Sequence, residues 1–181
     1  MATMPPRGSP GVPAKVAGTI VLGLGNPILG DDAVGLRVAA ALEQLLIEDP
    51  VPGVTVVTST RAGFEVIDLL AGADRAIIVD CLEVPDPEPG RIRRLDLQHV
   101  SGASRLVGPH DISVGVAFEL AGTLGVRMPR DVEIYGVEAS ATRGFGEALS
   151  PAVRTAVETL SRDLHAQLKR RASAVAPGSA S

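Results

Sequence analysis

Residues 19–35 read TIVLGLGNPILGDDAVG, an apolar run followed at once by a glycine-rich turn and the start of an amphipathic segment. The run Ile20–Leu24 is typical of a strand that is buried on both faces of a parallel sheet. Apolar residues then recur at helical spacing from Val34 to Leu45, which predicts a helix over about residues 31–46. The first unit of the fold is therefore a strand, a tight turn and a helix, as in α/β proteins.

Two adjacent carboxylates, Asp31 and Asp32, stand at the head of this predicted helix. Acidic residues at a helix N-terminus complement the helix dipole and cap free N–H groups. We assign Asp31 to this capping role. Because open α/β sheets bind their ligands at the carboxyl ends of the strands, we assign Asp32 to a functional site at the end of the first strand.

The composition limits the classes of function. The chain has 181 residues, of which 45% are hydrophobic, so it has enough apolar content for one domain with a proper core. A net charge of −4 and an aromatic content of 2% argue against nucleic acid as the main partner. The single cysteine, Cys81, excludes an internal disulfide, and no transmembrane run or signal-peptide pattern is present. The expected location is the cytoplasm.

The rest of the chain alternates strand patterns with helix patterns. Strands are predicted near residues 54–57, 75–80, 91–97 and 132–137, and helices near residues 65–70, 112–124 and 151–169. The strand at 75–80 should lie in the middle of the sheet, and 91–97 alternates like an edge strand with one solvated face. These patterns predict a three-layer α/β/α sandwich around a mostly parallel, mixed sheet of about five strands. We expect one domain at 18–171, between a disordered leader at 1–17 and a disordered tail at 172–181.

Three polar side chains are expected to meet at one edge of this sheet. If the first and third strands are parallel neighbours, Asp32 and Asp80 both lie at carboxyl ends, and His110, before a later helix, can reach the same edge. Two carboxylates and an imidazole form a three-ligand site for a divalent transition metal, with open positions for water or a partner's ligand. Taken singly, Asp80 is more often a turn or cap residue, and His110 is as often an ordinary loop histidine. Their combination is what predicts the site.

Other chemistry has weaker support in the sequence. Cys81 follows Asp80 and is a possible nucleophile, but no paired base is evident, so we favour a small apolar residue beside the sheet. The glycine-rich turn lacks the G-x-G-x-x-G spacing of dinucleotide sites. Arg91, Arg93 and Arg94 form a basic patch, which we interpret as a solvated sheet edge that discourages pairing with another sheet.

Three motifs in combination resemble those of the hydrogenase maturation proteases, the endopeptidases that trim the C-terminus of the large subunit of NiFe hydrogenases. The motifs are GNPILGDDAVG at 25–35 after the first strand, Ile77-Ile-Val-Asp80 at the end of the third, and Pro109-His110 before a later helix. The similarity extends over about residues 19–168 and is specific because the three motifs occur together.

The resemblance implies an activity, a substrate and a set of site residues. It implies a phosphorylase/hydrolase-like fold and an endopeptidase that removes the C-terminal extension of a NiFe hydrogenase large-subunit precursor after nickel insertion. In that family two acidic residues and a histidine hold the metal, which corresponds here to Asp32, Asp80 and His110. Nickel would be carried by the precursor, and the resting enzyme would be metal-free or hold an adventitious divalent ion. We expect a monomer that binds this precursor and neither nucleic acid nor membrane.

The chain departs from the family pattern after the second strand. Family members often carry an Asp-Gly-Gly-Thr type segment there, whereas this chain has Thr58-Ser-Thr-Arg-Ala-Gly63. Substrate contacts in that loop therefore do not carry over to this chain. The hydrogenase that would be processed stays open.

Two alternative functions also stay open. The segment Leu24-Gly-Asn-Pro27 occurs in peptidyl-tRNA hydrolases, although the Thr-Arg-His-Asn segment and the basic surface of those esterases are missing here. The non-catalytic alternative is an assembly factor that senses nickel on the precursor without cutting it.

Overall fold

The computed structural model describes residues 18–60, 64–97, 114–140 and 148–175, which form a five-stranded sheet with helices on both faces. The strands are β1 (Thr19–Leu24), β2 (Val54–Ser59), β3 (Arg75–Leu82), β4 (Ile92–Leu95) and β5 (Asp131–Glu138). The helices are α1 (Val34–Glu48), α2 (Phe64–Leu70), α3 (Val114–Thr123) and α4 (Pro151–Val175). A 3-10 turn at Gly30–Ala33 precedes α1.

The strand order is β2-β1-β3-β5-β4, and only the β4–β5 pair is antiparallel. β1 and β3 are parallel neighbours, with Gly23 opposite Val79, as the placement of the candidate site required. β3 is central and is buried along its whole length, and β4 lies at the edge. The predicted mixed, mostly parallel sheet is confirmed.

Alternate residues of the strands supply two separate hydrophobic cores, because successive side chains of a strand point to opposite faces. On one face Ile20, Leu22 and Ile78 pack against α2 and α3. On the other face Ile77 and Val79 pack against α1 and α4. The predicted three-layer α/β/α sandwich is therefore confirmed.

α1 lies very close to the sheet because Gly35 has no side chain. A Cβ atom on Gly35 would lie 2.2 Å from the carbonyl oxygen of Leu24 and 2.3 Å from that of Val79. Gly23 on β1 makes the same contact from the other side, since its Cβ would lie 2.3 Å from the Gly35 carbonyl oxygen. This close approach holds the start of α1 against the carboxyl ends of β1 and β3.

The last helix is longer than the sequence suggested. α4 ends at Val175 rather than near Lys169, so residues 172–175, which we expected in the tail, are helical. The physical reason is that the first helix-breaking residue after Lys169 is Pro177. The predicted leader at 1–17 and the rest of the predicted tail lie outside the described residues.

No helix in the described parts of the chain combines the length and the apolar character that crossing a membrane requires.

Candidate active site

The carboxyl ends of β1, β2, β3 and β5 lie along one edge of the sheet, which we call the carboxyl rim. Asp32 lies in the turn that follows β1, and Asp80 lies two residues before the end of β3. The two side chains are close enough for the charge of Asp32 to raise the pKa of Asp80. The structure thus brings two of the three predicted site residues to the same rim.

The backbone of the glycine-rich turn holds the Asp32 side chain in place. The backbone N–H of Asn26 donates a hydrogen bond to Asp32 Oδ2 at 2.9 Å. Gly25 has a φ of 148°, and a Cβ atom there would lie 2.1 Å from the Asp32 carbonyl oxygen. The turn can therefore fold back onto Asp32 only with glycine at position 25, which explains why the motif needs that residue.

Asp80 is a buried carboxyl group, with 6% of its surface exposed. Burial raises the pKa of Asp80 well above its usual value, and the charge of Asp32 raises this pKa further. The backbone N–H of Cys81, which donates to Asp80 Oδ1 at 2.8 Å, acts in the opposite direction. A carboxylate in such surroundings is stabilised when a cation approaches it.

Cys81 is a core residue rather than a reactive one. Its side chain is buried and packs in the core that faces α1 and α4. Burial raises the pKa of the thiol, and so do the negative charges of the acidic residues around it: Asp80, Asp32, Glu83 and Asp31. Because the thiolate is the nucleophilic form of cysteine, these surroundings support the interpretation of Cys81 as a small apolar residue.

The third predicted site residue, His110, lies outside the described residues, as do residues 101–109, which precede it. Within the described ranges, no group of three or more His, Cys, Asp or Glu side chains is placed to hold a metal ion. Arg127, four residues after α3, pairs with Asp74, which directly precedes β3 at the end of the strand opposite the carboxyl rim. His110 precedes the start of α3 by four residues, and its role as a ligand stays a prediction.

Asp31 does not cap the helix that follows it, so that prediction is wrong. Neither the 3-10 turn nor α1 has a side-chain cap. Instead the buried Asp31 carboxylate accepts a hydrogen bond of 2.6 Å from the backbone N–H of Ser150, just before α4. Asp31 therefore satisfies a free N–H group at the start of a distant helix and ties α4 to the carboxyl rim.

Two buried glutamates on β5 have roles that the sequence did not predict, although Glu138 belongs to the Tyr135-Gly-Val-Glu138 segment that resembles the family. Glu138, at the end of β5, forms an ion pair with Arg93, and Glu133 forms one with Arg94. The basic patch on β4 is therefore more than a solvated edge, because its guanidinium groups neutralise buried carboxylates. The signal in the sequence was the presence of two glutamates in a strand whose other buried residues are mostly apolar.

Comparisons with known proteins agree with these features. The family model described as hydrogenase maturation protease (HycI) matches residues 36–167. The hydrogenase 2 maturation protease of Escherichia coli (strain K12) is 29% identical over 119 residues, which cover 65% of this chain and 71% of that protein.

Solved structures show the same fold. The hydrogenase maturating endopeptidase HybD from E. coli has a TM-score of 0.63 and 26% identity, with 85% of this chain and 93% of that chain covered. The hydrogenase maturation protease HycI from Thermococcus kodakarensis KOD1 has a TM-score of 0.61 and 23% identity, with 84% and 92% covered. At that identity the second similarity supports the fold alone.

The matched range covers well over half of the chain. It includes positions 80 and 110 and begins after Asp32. This result favours a peptidase over the peptidyl-tRNA hydrolase and the non-catalytic assembly factor that the sequence left open. By sequence over most of its length and by fold, the chain belongs to the hydrogenase maturation protease family and is a peptidase that acts in hydrogenase maturation.

Proposed function

We propose that this peptidase removes the C-terminal extension of a NiFe hydrogenase large-subunit precursor after nickel insertion. In this proposal Asp32, Asp80 and His110 engage the nickel that the precursor carries. The observation that supports it most directly is the pair of neighbouring carboxyl groups at one rim: Asp32 in the turn after β1, and Asp80 near the end of the parallel neighbour β3. The carboxyl rim is where open α/β sheets bind their ligands.

The donor atoms suit a metal ion that stays with its own protein. Carboxylate oxygens and an imidazole nitrogen are harder ligands than thiolates, so they can share a nickel ion without removing it from substrate thiolates. The buried Asp80 carboxylate has the most to gain from an approaching cation, because its surroundings disfavour an isolated negative charge. Recognition of nickel-loaded precursor follows from this preference.

Hydrolysis of the peptide bond requires an activated carbonyl group or water molecule. A bound divalent ion supplies that activation by polarising either group. The sequence contains no H-E-x-x-H helix, and Cys81 is buried with a raised thiol pKa, so neither offers a separate source of catalysis. In our proposal Asp32, Asp80 and His110 orient the substrate metal at the carboxyl rim.

We further propose a monomeric enzyme in the cytoplasm that binds metal weakly when alone. The single free cysteine suits a reducing compartment. With three protein ligands at most, the resting enzyme would be metal-free or hold an adventitious divalent ion. Calorimetric titration of the isolated enzyme with Ni²⁺ tests this point, and a tight nickel site in the absence of precursor would contradict it.

The decisive experiment compares nickel-loaded with nickel-free precursor. Each is incubated with the purified enzyme and the products are weighed by mass spectrometry, with cleavage expected for the loaded form alone. Asp32→Ala, Asp80→Ala and His110→Ala should each slow cleavage by about 10²-fold or more, as loss of a catalytic metal contact does. Undiminished cleavage by all three variants, or equal cleavage of nickel-free precursor, would refute the proposal.

A further inference from the structure

We propose that Glu138 is a positioning residue for this reaction: it fixes the Glu83–Gly90 loop as a rigid wall beside Asp80, against which the precursor binds. The inference rests on the proposed function. The loop leaves β3 directly after Asp80-Cys81-Leu82, and Glu138 is the last residue of β5, paired with Leu82. The contact that holds the loop is thus two residues along the sheet from the candidate catalytic carboxylate.

Glu138 holds the loop with its side chain and its backbone together. The Glu88 N–H donates to Glu138 Oε2 at 2.8 Å, and Arg93 Nε donates to Oε1. The Gly90 N–H donates to the Glu138 carbonyl oxygen at 2.8 Å, and the Glu138 N–H donates to the Arg91 carbonyl oxygen at 2.9 Å. Two of these hydrogen bonds, from Glu88 and Gly90, therefore fasten the far end of the loop to β5, and the other two hold Arg91 and Arg93, which follow the loop.

The loop itself has little conformational freedom. Three prolines, at positions 85, 87 and 89, fix their own φ angles and restrict the residues before them. Its end packs closely on the start of α4, because a Cβ atom on Gly90 would lie 2.6 Å from the carbonyl oxygen of Ala152. A stiff segment fastened at both ends provides a preformed surface rather than one that must be ordered on binding.

The burial of Glu138 indicates that geometry is what this residue contributes. Glu138 is fully buried, whereas Glu83, Asp86 and Glu88 of the loop are exposed and accessible to a partner. Replacing a buried ion pair by apolar residues is often neutral for stability, so such a pair is weak evidence for a stabilising role. A fixed wall lowers the cost of binding a large substrate, and this benefit is expressed in KM more than in kcat.

The test compares Glu138 with a matched residue on the same strand. Glu133 is also buried on β5 and also pairs with arginines, Arg75 and Arg94, but it lies in the other half of the strand, away from the rim. For wild type, Glu138→Ala, Glu138→Gln and Glu133→Gln, we would measure kcat and KM for nickel-loaded precursor and the Tm. Hydrogen exchange of the Glu88 and Gly90 amides reports on the loop directly.

We expect Glu138→Ala to raise KM about tenfold with kcat changed less than about twofold, and to speed exchange at Glu88 and Gly90. Glu138→Gln keeps an oxygen that can accept the Glu88 N–H, so it should recover part of the loss in KM and carries the test if the alanine variant does not fold. Glu133→Gln should lower Tm and leave KM unchanged.

Two results would overturn the inference while the proposed function stands. One is a wild-type KM in both Glu138 variants, and the other is an equal rise in KM for Glu133→Gln, which would indicate general destabilisation. Failure of the wild-type enzyme to cleave nickel-loaded precursor would instead refute the proposed function, and the inference would fall with it.

Discussion

Two buried carboxyl groups on neighbouring strands, Asp80 on β3 and Glu133 on β5, have opposite electrostatic surroundings. Asp80 is 6% exposed and Glu133 is 4% exposed, so both have lost nearly all contact with water. Burial raises the pKa of Asp80, and the neighbouring charge of Asp32 adds to the effect. Burial acts in the same direction on Glu133, but hydrogen bonds from Gln167, Arg75 and Tyr135 outweigh it, and the pKa of Glu133 is lowered.

The difference separates a structural carboxylate from a candidate functional one. Gln167 on α4 donates to both oxygens of Glu133, at 2.9 and 3.0 Å, and Tyr135 donates at 3.0 Å. For Asp80 the corresponding contact within the described residues is the N–H of Cys81. Within the described residues the fold thus favours the ionised form of Glu133 and disfavours that of Asp80, and a strongly perturbed carboxyl group at a ligand-binding edge is a candidate for function.

The largest expected effect is the difference in cleavage rate between two variants in which Asp80 or Glu133 is replaced by its amide. Asp80→Asn should slow cleavage of nickel-loaded precursor by about 10²-fold or more, because in the proposed function it removes a charged ligand of the substrate nickel. Its free energy of unfolding should not fall, since the buried surroundings of Asp80 disfavour the charged form that the substitution removes. Glu133→Gln is the matched control and should keep cleavage within about twofold of wild type. Comparable activity losses in the two variants would remove the distinction between the two carboxyl groups.

A second test concerns what holds the rim in place. Gly35→Ala should lower the free energy of unfolding by about 3 kcal/mol or more, because the added Cβ would meet two backbone oxygens that cannot move aside. Gly122 on α3 has open space around it, so Gly122→Ala should raise stability by about 0.5–1 kcal/mol through helix propensity. Urea unfolding of both variants gives the comparison, and similar changes in both would mean that the close approach of α1 is not required.

The sequence was a good guide to the fold because its signals are local and consistent. The apolar run Ile20–Leu24, the helical spacing after Val34 and the alternation before Leu97 each specify an element, and right-handed crossovers leave few ways to assemble them. The error at the end of α4 has a local cause, since nothing in the sequence between Lys169 and Pro177 stops a helix. Element ends are set by marginal energies that a pattern does not measure.

The candidate site was predictable only in part, for a different reason. Asp32 and Asp80 belong to motifs next to strand ends, so the topology alone places them at one rim. Asp31 and Glu138 take their partners from Ser150 and Arg93, which are distant in the chain. Contacts of that kind depend on the three-dimensional arrangement, and a motif contains no information about them.

A third test measures the contribution of the Glu133 network to stability. Glu133→Gln should lower the free energy of unfolding by about 2 kcal/mol, because it leaves the guanidinium of Arg75 buried with less compensation. Asp131, whose Oδ2 lies 3.3 Å from Arg75 Nε, limits the loss. Urea unfolding at neutral pH measures this loss of free energy. An unchanged midpoint would show that the hydrogen bonds from Gln167 and Tyr135 to residue 133 are sufficient and that its charge is not required.

The smallest effect is the pH dependence of the difference in free energy of unfolding between wild type and Glu133→Gln. The pKa of Glu133 is lowered in the folded protein from its ordinary value of 4.5, so ionised Glu133 stabilises the fold above about that pH. As the pH falls through the lowered pKa, Glu133 gains a proton and this stabilisation is lost. Glu133→Gln cannot titrate, so the difference in free energy of unfolding between wild type and variant should narrow from pH 6 towards pH 3. Urea unfolding across this range tests the point, because a constant difference would mean that Glu133 stabilises the fold through the shape of its hydrogen bonds and not through its charge.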